Sequence, residues 1–173
     1  DRLFNVRYAA PGQDMPRDME TLQWSSLSDI VEHPIAWDLD NFSLRGAPYP
    51  ELAAGTWVTP GYVEGFGVRP AIGRGFQPQD FQEGQPAVAL ISHRLWQSRF
   101  GSDATIVGRR FEAHVNDRPN EVETFTVIGV LPQGMWHMNV FTDVLALLRA
   151  PTFPYLVRLR DGVAPAVAAE RIT

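Results

Sequence analysis

Hydrophobic residues recur at every second position in several separate segments of the chain, which is the period of a β-strand. Residues 35–46 place Ile35, Trp37 and Leu39 in this alternation, and residues 51–58 form a second such segment. Further strands are predicted over residues 4–8, 87–91, 109–115, 124–132, 143–148 and 155–160. The pattern therefore predicts strands along most of the chain.

Helical periodicity is confined to three segments. Over residues 18–33 the apolar positions fall on one half of a helical wheel. A second helix is predicted over His93–Phe100, with Ser92 as its N-cap. A third begins near Pro165, a residue type that suits the first turn of a helix. The order strand, helix, strand in the first third of the chain indicates a βαβ-type unit.

Two stretches are predicted to lack regular secondary structure. Residues 59–80 are rich in Gly and Pro, yet the whole chain holds only 14 of each among its 173 residues, too few for a low-complexity linker. This stretch is therefore predicted to be ordered but irregular. The second is a hairpin tip at residues 116–121, which joins the strands at 109–115 and 124–132.

The composition excludes several classes of function. The 15 basic residues are all Arg, the net charge is −5, and no basic cluster exceeds the pair Arg109-Arg110, so nucleic-acid binding is not expected. The absence of Cys excludes disulfides, Cys-ligated zinc and thiol nucleophiles. No apolar run approaches the ~18 residues of a membrane span. Because the last predicted helix has no Gly cap, we expect the sequence to be part of a longer protein.

Residue types that carry catalysis or bind metals are present, but their arrangement does not favour chemistry. Ser92, His93 and His114 could contribute to an acyl-transfer triad, yet the chain has no G-x-S-x-G elbow and Ser92 is better explained as a helix cap. The four His residues lack the close spacing of a metal site. The segment 114–117 is better explained as a solvated turn than as a metal site.

Two pairs of carboxylates lie two residues apart on predicted strands, Asp38 with Asp40 and Glu121 with Glu123. Each pair shares a strand face, but nothing in the sequence indicates a buried environment that would separate their pKa values. The Gly-rich stretch contains neither G-x-G-x-x-G nor G-x-x-x-x-G-K, the patterns that hold phosphates. We therefore expect no catalytic residue, no cofactor and no metal.

A series of short motifs occurs in order between residues 57 and 132. It consists of GVRP at 67–70, GRGF at 73–76, Asp80, Trp96, Phe100-Gly101, Gly108 and GVLP at 129–132. This order resembles the periplasmic core domain of ABC transporter permeases of the FtsX/MacB type, including the orphan permeases that carry two such domains per chain. The closing segment YLVRLRDGVAPAVAAERI is similar to the strand-to-helix return of that family.

The resemblance implies an α+β fold with two lobes. A porter-like βαβ-type lobe, residues 1–58 with 150–173, is interrupted by an inserted mixed α/β lobe of the Sabre type, residues 59–149. In whole permeases this domain lies between the first and second transmembrane helices, on the extracytoplasmic (periplasmic) face of the bacterial inner membrane. The implied partners are the rest of the permease, a cytoplasmic ABC ATPase subunit, and a second copy of the permease or a periplasmic adaptor.

The family motifs are expected to have structural roles. Arg74 and Asp80 are predicted to form an internal ion pair that fixes the irregular loop. Trp96 and Phe100 are predicted to pack the short helix against the hairpin strands. The expected structural motif residues are Gly73, Arg74, Phe76, Asp80, Trp96, Phe100, Gly101, Gly129 and Pro132.

The resemblance implies a non-enzymatic domain that moves as a rigid lever when a partner ATPase hydrolyses ATP. Such a domain would transmit conformational change and contact substrate or partner proteins. The alternative is a binding or sensing module that captures a peptide, lipid or lipoprotein in the groove between the lobes. Trp57, Tyr62 and Trp136 are the expected lining of that groove.

Overall fold

The computed structural model describes residues 2–5, 27–46, 51–115, 118–135, 142–148 and 156–172. Within these ranges the chain forms three α-helices, α1 (Tyr62–Gly65), α2 (His93–Ser98) and α3 (Pro165–Ile172), and a 3-10 helix at Pro78–Phe81. Its ten strands are β1 (Leu3–Asn5), β2 (Val31–Ile35), β3 (Trp37–Leu44), β4 (Glu51–Val58), β5 (Ile72–Gly73), β6 (Val88–Ile91), β7 (Arg110–Val115), β8 (Arg118–Val130), β9 (Val144–Leu147) and β10 (Leu156–Leu159). The fold is therefore mixed α+β and rich in strands.

Seven of the strands form one sheet, in the order β5-β8-β6-β9-β4-β3-β7. The pairs β4–β9 and β6–β8 are parallel, and the other neighbours are antiparallel. β7 pairs with β8 as well as with β3, so the sheet closes on itself. The result is a six-stranded barrel, with the short β5 attached to the end of β8.

The barrel interior is filled by aromatic side chains. The ring centroid of Phe125 lies 5.5 Å from that of Phe42 and 5.4 Å from that of Phe111, and Phe42 lies 5.3 Å from Trp57. A Cβ atom at Gly55 of β4 would lie 1.8 Å from the Phe42 ring, so this glycine makes the space that the ring occupies. Smaller apolar residues complete the core: Leu44, Ala53, Ala89, Ile91, Ala113, Val115, Val127, Val144 and Ala146.

The remaining strands form a small sheet in the order β1-β10-β2. β10 is antiparallel to both neighbours, so β1 and β2 run in the same direction on either side of it. Adjacent residues of β10 enter two different apolar clusters: Val157 packs in a cluster with Ala168 of α3, and Leu156 packs with residues of the barrel wall. The small sheet is thus packed on both faces, between α3 and the barrel.

The first predicted helix is wrong in its last part. Residues 31–35 form β2 and residues 28–30 form a turn, while residues 18–26 lie outside the described residues. Val31 and Ile35 are buried, and the strand pairs with β10, which satisfies its backbone hydrogen-bonding groups. The helical spacing of the apolar residues does not reveal this distant partner. Pro34 lies within this strand, at the edge of the sheet described, where a missing N–H is tolerated.

The strand predicted over residues 35–46 is divided in two. The break falls at Ala36, where the backbone bonds to Thr59 instead of to a neighbouring strand: Ala36 N donates to Thr59 Oγ1 at 3.0 Å, and Thr59 N donates to the Ala36 carbonyl at 3.1 Å. Phe42 and Leu44 are the residues of β3 that face the barrel interior, and Leu39, on the opposite face of the strand, is 52% exposed.

Other predicted elements are confirmed. β4, β6, β7, β9 and β10 lie within the predicted strands, and α3 begins at Pro165. The hairpin pairs Phe111 with Phe125, as its two strands predict, but β8 already begins at Arg118, so the predicted tip at 116–121 is too long. The lobe boundaries at residues 58 and 150 stay a prediction; β3 and β4, which precede residue 58, belong to the barrel together with strands from residues 59–149.

Candidate functional site

The GRGF motif lies where β5 pairs with the end of β8. Ile72 and Gly73 pair with Val130 and Gly129. A Cβ atom at Gly73 would lie 2.2 Å from the Ile128 carbonyl oxygen, and one at Gly129 would lie 2.7 Å from the Ile72 carbonyl oxygen. Gly73 also has a φ of +78°, which an L side chain rarely adopts. Both motif glycines are therefore required by the close approach of the two backbones.

The predicted ion pair between Arg74 and Asp80 is present and bidentate. Arg74 Nη1 donates to Asp80 Oδ2 at 2.6 Å and Nη2 donates to Oδ1 at 2.8 Å. The Gln77 backbone N–H also donates to Asp80 Oδ2, at 2.8 Å. The Asp80 side chain is 7% exposed. These bonds tie the two ends of the loop between β5 and the 3-10 helix together, and Phe76 between them is buried against the barrel wall.

Two opposing influences act on the pKa of Asp80. Burial raises this pKa, whereas the hydrogen bonds from Arg74 and from the Gln77 backbone, with the charge of Arg74, lower it. The hydrogen bonds and the charge prevail, and the pKa of Asp80 lies below its usual value. The same pairing raises the pKa of Arg74. The pair is therefore ionised on both sides at neutral pH, as a structural clamp requires.

A second polar cluster joins α2 to β9. Ser92 Oγ accepts from the Leu95 backbone N–H at 3.0 Å, so it is the predicted N-cap, and it donates to Asp143 Oδ1 at 2.9 Å. The other carboxylate oxygen of Asp143 accepts from Arg94 Nη2. Asp143 is 3% exposed. The sequence reasoning missed Asp143, although a lone acidic residue directly before the apolar run of β9 is a signal that could have found it.

Trp96 and Phe100 pack α2 and the following turn onto the barrel, as predicted. The Phe100 and Phe111 ring centroids lie 6.3 Å apart, and Trp96 packs against the same cluster. Trp96 Nε1 donates to the Asp103 carbonyl at 2.9 Å. Gly101, just after the helix, has a φ of +61°. The motif residues around α2 thus fix this helix to the barrel.

A cavity of about 460 Å³ lies between α2 and the residues that follow β8. Ser92, His93, Arg94 and Gln97 line one side, and Pro132 to Met135 line the other. Pro132 is the one predicted motif residue that reaches this cavity among those the structure describes.

The predicted groove residues do not share a surface. Tyr62 is fully buried, with its ring centroid 5.1 Å from that of Phe66, so the groove prediction is wrong for it. Trp57 is a core residue of the barrel, 9% exposed, and its Nε1 donates to Asp40 Oδ2 at 3.0 Å. It reaches a cavity of about 340 Å³ beside residues 80–88, which Tyr62 does not line. Trp136 lies outside the described residues.

The catalytic candidates are not assembled into a site. Ser92 is bonded to Asp143 and Leu95, while the His93 ring packs edge-on against Trp96 with centroids 5.2 Å apart. His114 lies on β7, opposite Ser43 and Val122 of the neighbouring strands. Among the residues that the structure describes, no group of three His, Asp or Glu could hold a metal ion.

The paired carboxylates also separate into different environments. Asp40 accepts from the Trp57 indole and from the Asn41 backbone N–H at 2.7 Å, whereas Asp38 is exposed. Glu121 is exposed and Glu123 is half-buried on β8. The contacts of Asp40 are those of a residue that holds a core side chain in place.

Comparison with known protein families identifies the family of this chain. The family model of the MacB-like periplasmic core domain matches residues 1–173, the whole chain. The chain belongs to this family. The MacB-like domain is thus a periplasmic domain of an ABC transporter permease of the MacB/FtsX type, and such domains are generally not catalytic. None of the curated proteins compared with the chain matches it.

Solved structures show the same fold for the MacB-like domain. The periplasmic region of MacB from Actinobacillus actinomycetemcomitans is similar with a TM-score of 0.61 and 16% identity, over 99% of this chain and 79% of that chain. The extracellular domain of the noncanonic ABC-type transporter YknZ from Gram-positive bacteria gives 0.59 and 17%, over 96% and 86%. A domain of a putative permease protein from Porphyromonas gingivalis gives 0.54 and 18%, over 87% and 72%.

None of the helices in the part of the chain described is both long enough and apolar enough to cross a membrane.

Proposed function

We propose that this domain transmits motion within its permease as a rigid lever. The observation that carries the proposal is the apolar cluster that joins the small sheet to the barrel. Ile35 of β2 and Leu156 of β10 pack in one cluster with Leu90 and Leu145 of the barrel wall, and all four side chains are buried. Close-packed interfaces of this kind resist gradual deformation, so a displacement of the sheet displaces the barrel.

Polar contacts support the same coupling. Arg158 of β10 donates through Nε to the Gly65 carbonyl of α1 at 2.7 Å. α1 in turn contributes Tyr62 and Val63 to the shared cluster. The sheet and the barrel are therefore joined by both burial and a charge-assisted hydrogen bond.

The position of β1 indicates where a force would enter. β1 and β10 are hydrogen-bonded neighbours, with Leu3 opposite Arg158. In permeases of this family the domain is preceded and followed by transmembrane helices, so motion of both helices would reach the same small sheet. The proposed partners are those helices, a cytoplasmic ABC ATPase, and a second copy of the permease or a periplasmic adaptor.

The lobes implied by the family are part of this proposal. A porter-like lobe of residues 1–58 with 150–173 would receive the motion, and a Sabre-like lobe of residues 59–149 would deliver it to substrate or partner. Because β3 and β4 pair within the barrel, we propose that the two lobes are continuous through these strands and move together.

The lever is tested by measuring distances between spin labels. The chain contains no Cys, so pairs of labels can be introduced without background. One pair joins the two regions, at Asp161 beside the small sheet and Leu52 on the barrel; both residues are exposed. A matched control pair lies within the barrel, at Leu52 and Val122. Double electron–electron resonance should give equally narrow distance distributions for the two pairs.

The same pairs are then measured in the whole permease, with and without ATP. A rigid lever predicts that the distance between positions 161 and 52 stays constant while the distances from the domain to the membrane-spanning part change. A distance between 161 and 52 that broadens or shifts with nucleotide contradicts the proposal.

The alternative of a ligand-binding module is less well supported, because Tyr62 and Trp57 are packed in the core. The cavity between α2 and residues 132–135 is the feature that favours it. A peptide or lipid that binds there should raise the melting temperature of the chain, and the substitution Gln97→Trp, which fills part of the cavity, should abolish that rise.

A further inference from the structure

Positive charge is concentrated on one concave surface of this acidic chain. A pocket of about 650 Å³ lies where β3 ends, α2 ends and β7 begins. We name it the arginine pocket, because its lining contains Arg45, Arg99, Arg109 and Arg110. The whole chain, in contrast, carries a net charge of −5. We infer that the arginine pocket binds a phosphate group carried by a ligand, a role that does not depend on the proposed lever.

Two of the four guanidinium groups are held in place by the protein. The Arg99 side chain is 11% exposed, and its Nη1 donates to Glu51 Oε2 at 2.8 Å while its Nη2 donates to the Arg45 carbonyl. Arg109 lies over the Phe100 ring, with its Cζ 5.3 Å from the ring centroid. Arg99 has both terminal nitrogens engaged within the protein and therefore contributes its charge to the pocket. Arg109 is fixed in advance, and such a group loses less conformational entropy when a ligand binds.

The other two guanidinium groups are available to a ligand. Among the described residues Arg110 forms no ion pair, and its side chain is exposed. Arg45 lies 3.5 Å from Glu112, and both side chains are half exposed. Arg109, although held over the Phe100 ring, is also only loosely paired, with its Nη1 3.5 Å from the Asp103 carboxylate. Exposed pairs at this separation stabilise a protein by little, about 0–1 kcal/mol, so a ligand can replace the carboxylate at small cost.

The chemistry of the lining favours phosphate. Four guanidinium groups face three nearby carboxylates, Glu51, Asp103 and Glu112, so the pocket keeps an excess of positive charge. A guanidinium fork matches two oxygens of a phosphate, and a phosphate offers enough oxygens to engage more than one fork. Thr124, also in the lining, supplies a hydroxyl donor. Phe100 and Phe111 form the apolar floor of the pocket.

The test is an NMR titration of the 173-residue chain with inorganic phosphate, at constant ionic strength maintained with NaCl. We expect saturable shifts of the side-chain N–H signals of the arginine pocket. Arg110→Gln should weaken the phosphate affinity roughly tenfold, the effect of losing one charge-assisted contact. The matched control is Arg69→Gln, which removes the same charge from an exposed residue outside the pocket and should leave the affinity unchanged.

Two further probes identify the source of the phosphate. Glycerophosphoglycerol represents a soluble phosphate ester, and vesicles of phosphatidylglycerol with phosphatidylcholine represent a lipid headgroup; vesicles of phosphatidylcholine alone are the control. Binding to either probe that is weakened by Arg110→Gln supports the inference and assigns the source. The inference is overturned if none of the three phosphate probes binds, or if Arg110→Gln and Arg69→Gln lose phosphate affinity equally. Circular dichroism verifies that both variants are folded.

Discussion

Single side chains fix the parts of this domain that have no regular secondary structure. Arg74 and Asp80 bind each other through two hydrogen bonds, and the Asp80 carboxylate also accepts from the Gln77 backbone. His33 lies at the contact between β2 and α1, where its ring abuts Gly61. Because each residue is ionisable, each connects the stability of the domain to pH.

Removing the Asp80 charge should destabilise the loop. Asp80→Asn is expected to lower the free energy of unfolding by about 1–2 kcal/mol at neutral pH, since the partly exposed Arg74 loses its charged partner. Folding lowers the pKa of Asp80 below its ordinary value of 3.8. The greater unfolding free energy of wild type is therefore fully present above pH 3.8 and is lost as the pH falls through the folded-state pKa. Urea denaturation between pH 7 and pH 3 measures this.

The control for Asp80→Asn is Asp38→Asn, at an exposed aspartate on β3. This substitution should leave the unfolding free energy unchanged across the same pH range. An equal loss in the two variants would indicate that net charge, and not the ion pair, is responsible.

Protonation of His33 should weaken the domain in mild acid. Burial lowers the pKa of His33 below 6.5; Glu32 and Glu64 act in the opposite direction, and Arg158 and Arg160 reinforce the decrease. A base with a lowered folded-state pKa stabilises the fold fully above pH 6.5, and this contribution is lost as the pH falls below that value. In thermal unfolding from pH 8 to pH 5, His33→Gln should lose less stability than wild type. An identical pH dependence would contradict the prediction.

At the scale of secondary-structure elements, two short pieces are each held by particular contacts. β5 has two residues and α2 has six. β5 is held by its close pairing with β8 at Gly73. α2 is held by the hydrogen bond between Ser92 and Asp143. Neither element would be stable alone at such a length, so both depend on these particular contacts.

The close approach of β5 and β8 at Gly73 should leave no space for a side chain. Gly73→Ala brings a Cβ against the Ile128 carbonyl in addition to its positive φ. Gly67→Ala is a matched control with a φ of +71° but open space around it. The control should cost about 1–2 kcal/mol for backbone strain alone, and Gly73→Ala should cost more in the same urea denaturation experiment. Equal costs would mean that the backbones can separate.

The Ser92 cap of α2 should contribute more to the unfolding free energy than an ordinary surface serine does. Ser92→Ala is expected to lower the unfolding free energy by about 1–2 kcal/mol, because the Leu95 N–H loses its acceptor and Asp143 loses a donor. Ser98→Ala, on the exposed face at the end of the same helix, should change it by less than about 0.5 kcal/mol. Ser92→Thr should restore most of the loss; a threonine that fails to do so would contradict the capping role.

Local elements and motif contacts could be predicted from the sequence because their causes are local. Ser92 is followed directly by the helix it caps, and Asp80 is six residues from Arg74. The helix predicted over residues 18–33 is wrong over residues 28–33, because pairing of Val31 with the distant β10 overrides the helical spacing of the apolar residues. The contacts of Asp143 with α2 and the closure of the barrel could not be predicted for the same reason, since both join segments far apart in the chain.

At the scale of the whole molecule, the small sheet and the barrel share one apolar cluster, so they should unfold together. Ile35→Ala removes a fully buried side chain from that cluster and should cost about 2–4 kcal/mol. Calorimetry should still show a single transition, at a lower temperature. Leu39→Ala, at an apolar residue that is 52% exposed, should change the unfolding free energy by less than about 0.5 kcal/mol. Two separate transitions in Ile35→Ala would indicate independent units.

The closed barrel also governs the order in which the chain can acquire its structure. β4 is completed by pairing Gly55 with Val144, and β1 is paired only when Arg158 reaches Leu3. Contacts so distant in sequence form slowly, because a long loop must close before any of them is gained. During synthesis and export, β1 and the edge of β4 that faces β9 must therefore wait without their partners until nearly all of the sequence has emerged. A chaperone that shields β3 and β4 in that interval would raise the yield of folded permease more than one acting on the finished domain.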